Sequence, residues 1–270
     1  MSAGGIVRVL LFLLGLALGI CVATRRSCAQ TAPGAQAVLP MVNSSSNATY
    51  PGGEPPVMDN QIMWQVLFDQ LEGRTNGTEN EFRWDGQGFV GTDMNKLWFK
   101  SEGFVEHGVM TDGDTEALYD RPIPFLRYFD AQAGVRYDLD SNPGRTWGAI
   151  GVEGLAPYFF ELEPTFYFSD HSRFAGKISA SYDILITQRL IAQPQVELNF
   201  YNKRDQARGI GSGLSELDTG LRIRYEITRK FAPYIGFAYN QSCGETGSIT
   251  RSEGGIVHDP RFVFGARVWY

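Results

Sequence analysis

Side chains able to hold a metal ion are scarce in this chain and far apart. Three histidines, three cysteines and six methionines are spread over 270 residues. Thioether and thiolate sulfur suit soft cations, imidazole and carboxylate suit borderline ones, and either site needs several donors brought together. The candidates are Met58 and Met63, His107 with Met110, and singly His171, Cys243 and His258. His107 and Met110 are the best local pair, yet no pair has a diagnostic spacing. Nucleophilic chemistry is no better provided for. His171 and Ser172 are adjacent, but on a strand they would point to opposite faces, and no acid is placed to orient the base. Serine hydrolysis fails that test, and the chain is read as a non-enzyme.

Any metal site therefore depends on elements that gather distant residues. From Glu216 to Ile227 charge and apolar side chain alternate almost without a break. Successive strand residues point to opposite faces, so Glu216, Asp218, Arg222, Arg224 and Glu226 share one face and Leu217, Leu221, Ile223, Tyr225 and Ile227 the other. The alternation lasts about ten to twelve residues, the span of a tilted strand crossing a bilayer and roughly twice a common soluble strand. It recurs over 173–184 and 189–201, so these segments are read as transmembrane strands.

The same residues carry a resemblance. TQRLIAQPQVELNFY (187–201), RGIGSGLSELDTGLRIRYEITRKFAPYIG (208–236), DAQAGVRYD (130–138), GLAPYFFE (154–161) and NKLWFKSEG (95–103) occur in one order. This set of blocks resembles the copper resistance protein B family of outer-membrane proteins, over most of the chain from about Pro56 to Tyr270. The resemblance implies a role in copper binding, copper resistance and copper ion homeostasis, by efflux or sequestration. The partners it implies are outer-membrane lipid, copper ions and other periplasmic copper-resistance proteins. It also implies a Met- and His-rich segment ahead of the barrel, which here holds only Met41, Met58 and Met63 and no histidine. Met58, Met63, His107 and Met110 are then the candidate copper ligands. The alternative is a narrow porin or structural barrel of the same fold without a metal role.

Composition bounds the rest. A formal charge of −6 and a pI near 5.2 exclude a basic nucleic-acid footprint. Val9–Ala23 is the one continuously apolar segment and follows Arg8, so residues 1–29 read as a signal peptide. Cleavage there removes Cys21 and Cys28 and leaves Cys243 without a disulfide partner. Residues 30–60, rich in Pro, Ser, Asn and Gly, read as a disordered tether. Residues 61–270 are expected to form a single all-β, antiparallel up-and-down barrel of twelve strands, with 106–113 among its longer outer loops. Its lumen should hold charges of both signs, including Lys96, Lys100, Glu102, Asp130, Arg136, Glu153, Glu163, Lys177, Glu197, Asp218, Arg222 and Arg224. Such charges in a confined interior must be paired or hydrated.

Overall fold

The structure, a computed structural model, describes residues 61–126, 128–139 and 144–270. The signal peptide, the tether and Met58 lie outside the described residues. From Met63 onward the chain forms twelve antiparallel strands: β1 (Met63–Thr75), β2 (Asn80–Thr92), β3 (Asn95–Glu106), β4 (Val109–Pro122), β5 (Phe129–Asp138) and β6 (Arg145–Ala156) make up the first half. The second half is β7 (Phe160–Ser169), β8 (Arg173–Ser181, resumed at Ile184–Leu185), β9 (Leu190–Tyr201), β10 (Gly213–Tyr225), β11 (Phe231–Ser242) and β12 (His258–Trp269). Both pieces of β8 pair with β9, so they are one strand interrupted at Tyr182 and Asp183. Each strand pairs with its neighbours in sequence, and β1 pairs with β12, from Leu67 opposite Trp269 to Thr75 opposite Phe262. The sheet closes, and no edge is left unpaired.

The alternation that makes these segments strands also sorts their side chains. Phe237 is 67 % and Ile150 56 % exposed, and Val135, Phe166, Ile235 and Phe264 are exposed like them, while the alternate residues Ala149, Thr165, Tyr234, Ala238 and Val263 are buried inside. An apolar band of this extent around a closed sheet is solvated by lipid, not by water. Among the described residues no helix is long and apolar enough to cross a membrane. The barrel crosses with its strands.

Three local features depart from the expected pattern. The expected long loop 106–113 is instead the two-residue turn His107-Gly108, with β4 starting at Val109. Both turn residues have positive φ, 50° and 78°. That is the backbone of a type I′ hairpin turn, whose twist matches the flanking strands. The β3–β4 register then slips between Phe104 and Val105. In β1 the register shifts after Phe68 against both neighbours, a bulge at Asp69. Among the described residues, outer connections are long at 202–212 and 243–257, and the second contains a helix, α1 (Gly244–Ser252).

Candidate functional site

The sulfur and imidazole candidates are dispersed. Met63 begins β1, near the end of the barrel where β12 stops, whereas His107 lies at the distal end of β3. The His107 side chain is 76 % exposed, with Nδ1 4.0 Å from Glu106 Oε1. Met110, opposite Val105, lays its sulfur against Gly113. Cys243 precedes α1 and directs its thiol to the Gln241 carbonyl at 3.6 Å. His258 shares a 2.8 Å hydrogen bond with the Tyr239 hydroxyl. His171 lies 2.9 Å from Asp170, an acid that strand-based reasoning passed over, in an exposed turn where His171 and Ser172 both have φ of 54°. Among the described residues, no three His, Cys, Asp or Glu side chains converge as a metal-holding group.

What the fold does gather is the charged face of every strand. Glu72 and Arg74 of β1 meet Arg222 and Asp218 of β10. Arg222 Nη2 is 2.8 Å from Glu72 Oε1, and Arg74 reaches Glu72 at 2.8 Å and Asp218 at 3.2 Å. Arg83 of β2 binds the same Asp218 oxygen at 2.8 Å and also Glu197 at 3.4 Å and Glu102 at 3.7 Å. Lys177 of β8 completes the circuit by pairing with Glu102 and Glu197. Glu72 is 0 % exposed, so its charge is tolerable only because Arg222, Arg74 and the Tyr234 hydroxyl saturate it. On the opposite wall Lys100 joins Glu153 and Glu163, and Arg136 joins Asp114 and Asp138 at 3.0 Å each.

Three cavities thread between these pairs. The largest of them, about 350 Å³, lies in the half of the lumen nearer the start of β1 and the end of β12. Its lining holds nine carboxylates, Asp69, Asp85, Glu102, Asp114, Glu116, Glu153, Glu161, Glu163 and Glu197, against three cations, Lys100, Lys177 and Arg267. A second cavity of about 40 Å³ shares Glu102, Asp114 and Glu197 with it, and a third of about 170 Å³ toward the distal end shares Phe104, Asp112 and Glu216 with the second. No Met, Cys or His lines any of the three. The donors are oxygen, and the excess of carboxylates gives the interior a field that draws cations.

Similarity to known proteins fits this barrel. The family model described as "Copper resistance protein B precursor (CopB)" matches residues 62–270. The chain belongs to the copper resistance protein B family. It is 40 % identical over 214 residues to the Copper resistance protein B of Escherichia coli, covering 79 % of this chain and 72 % of that protein. Over the same length it is 37 % identical to the Copper resistance protein B homolog of Pseudomonas syringae pv. tomato, with the same coverage. Among solved structures it is similar to the NanC porin, with TM-score 0.50 and 12 % identity over 77 % of this chain and 100 % of that one. That likeness is one of fold. Family membership and the lipid-facing band put this copper resistance protein B family member in the outer membrane of a Gram-negative envelope.

At the distal mouth of this family member the two long loops clasp one another. Glu245, in the first turn of α1, accepts hydrogen bonds from Ser212 N at 2.9 Å and Ser212 Oγ at 2.7 Å, and these hold its carboxyl below the usual range. Thr246 accepts from Gly211 N at 2.8 Å. Below them Asp205 bridges Arg145 of β6, at 2.8 Å, and Arg173 of β8, at 2.6 Å. Burial pushes the Asp205 carboxyl up, but hydrogen bonds from the two guanidinium groups outweigh it and keep it below its ordinary value. Sequence reasoning missed Glu72, Arg74, Arg83, Asp85, Asp114 and Glu116. The signal for four of them was present, since Arg83 and Asp85, and Asp114 and Glu116, alternate with Trp84 and Thr115.

Proposed function

We propose that the acidic lumen is where this barrel handles copper, taking the ion as cargo and not as a resident cofactor. The observation that carries this reading is the nine-to-three excess of carboxylates over cations in the largest cavity. Oxygen donors favour divalent copper over Cu(I). With no converging set of ligands among the described residues, the ion is held hydrated, by the field of the walls. Such binding is weak and falls with ionic strength. The role is non-catalytic. It serves efflux or sequestration of copper at the outer membrane, with periplasmic copper-resistance proteins as donors or acceptors. His107 and Met110 form a separate candidate contact at the distal tip, and Met58 and Met63 another near the start of the barrel.

Calorimetric titration of the refolded full chain with Cu(II) tests this reading. The Asp85→Asn/Glu102→Gln double variant should lose most of the binding. Deletion of 30–55 and the His107→Ala/Met110→Ala pair should each lose less. Binding that disappears with the deletion but survives the lumenal changes would transfer the function to the tail. No binding by the intact protein would favour a narrow porin.

A further inference from the structure

Phe104 stands out inside this polar lumen. It is the one hydrocarbon ring lining any of the three cavities, and it borders both the 170 Å³ distal cavity and the 40 Å³ cavity beneath it. The guanidinium of Arg74 lies 5.1 Å from its ring centroid and that of Arg83 lies 4.9 Å away. Neither arginine is free to swing, since both bind Oδ2 of Asp218 and each has a second carboxylate, Glu72 for Arg74 and Glu197 for Arg83. The ring is therefore gripped from two sides, by cations whose charge is already neutralised. A cavity of 40 Å³ has room for only about three waters, counting roughly one per 10–15 Å³. Carboxylates line the space on both sides of the ring: Glu81 and Asp259 beyond it, Glu102 and Glu197 before it, and Glu216 in both cavities.

We infer that Phe104 is the residue that limits passage through the lumen, and that what it regulates is the entry of small hydrated cations. The inference rests on the lumen being the functional path but not on copper being the cargo. Removing the ring joins the distal and middle cavities into one water-filled passage, whose lining holds eight carboxylates against the four arginines Arg74, Arg83, Arg136 and Arg261. Such a passage admits cations and excludes anions.

The test is the conductance of the purified full chain in planar bilayers in a KCl gradient, without copper. Phe104→Ala should raise conductance several-fold over the parent, with a reversal potential of the sign set by potassium, and Phe104→Leu should fall between. An unchanged conductance in Phe104→Ala would overturn the inference, as would an anion-selective current. Folding is read from the heat-modified gel shift. If the alanine variant does not fold, Phe104→Leu decides by the same criteria. Failure of both to fold would also overturn it, because a ring that only closes a lumen is dispensable to the outer packing. A conducting Phe104→Ala variant in a protein that does not bind copper leaves this inference standing and defeats the copper reading alone.

Discussion

Asp85 of β2 lies directly opposite Glu102 of β3, and the opposition continues, Glu102 facing Asp114 of β4 and Asp114 facing Asp138 of β5. Like charges placed directly across a ladder destabilise it. Glu102, Asp114 and Asp138 are each relieved by an arginine or lysine, whereas Asp85 forms no ion pair among the described residues. A barrel selected for stability alone would not keep that row.

Asp85→Asn should therefore make the barrel more stable, by about 0.2–1 kcal/mol, the usual scale of one cross-strand pair. Urea unfolding in lipid vesicles, followed by tryptophan fluorescence, measures it. A loss of stability would mean that the Asp85 carboxylate holds the wall together.

Arg222 and its outward neighbour Leu221 separate the two faces of β10. Leu221→Arg puts a charge among lipid tails and should cost about 2–4 kcal/mol near the midplane. Arg222→Gln should cost as much or more, about 3–5 kcal/mol, because it strips a buried Glu72 of its principal partner. Adding Glu72→Gln to Arg222→Gln should recover part of that loss, in a double-mutant cycle read by unfolding. Without recovery, the pair is not the source of the damage.

The Asp205 latch gives the distal loops a pH dependence. Its carboxyl is held below the ordinary aspartate value, so its contribution is complete above that value and is lost as pH falls through the lowered one. Protection from hydrogen exchange in 202–212, taken relative to the intrinsic rate at each pH, should be high at pH 5 and fall below the ordinary aspartate range. Asp205→Asn should exchange quickly at both. Equal protection in the variant and the parent would remove the latch.

Which end faces outward can be read by proteolysis. If both termini lie on the periplasmic side, protease added to intact cells should cut the second long loop, and it should do so at 253–257, past the end of α1 at Ser252. Cutting only after the outer membrane is permeabilised would invert the topology.

Period two was enough to expose the architecture. Glu216–Ile227 alternates so regularly that the two faces of β10 are written in its composition, and such runs recur often enough to give twelve strands. Reasoning failed where a bulge interrupts the period. At Asp69 both Asp69 and Gln70 turn toward the lumen, Asp69 to Arg267 at 2.8 Å and Gln70 to Gln195 at 2.7 Å, so Glu72 and Arg74 sit out of phase with the start of their strand. The slip after Phe104 likewise disguised 109–113 as a loop and hid the turn that carries His107. The lumenal cavities were hidden for another reason. They are properties of facing walls, set by pairs such as Arg83 with Asp218 that lie far apart in the chain.

The closing seam has a consequence for how the molecule is made. Every other ladder joins strands that follow one another, so each can form as a hairpin with little chain to bring together. The β1–β12 ladder alone joins the first strand to the last and must wait for the whole barrel between them, with Tyr270 N donating to Val66 O at 2.8 Å. Until that strand arrives the chain is an open sheet with two exposed edges, able to pair with other chains. Nascent copies are thus most vulnerable to aggregation just before completion, and a truncation of β12 would leave them permanently in that state.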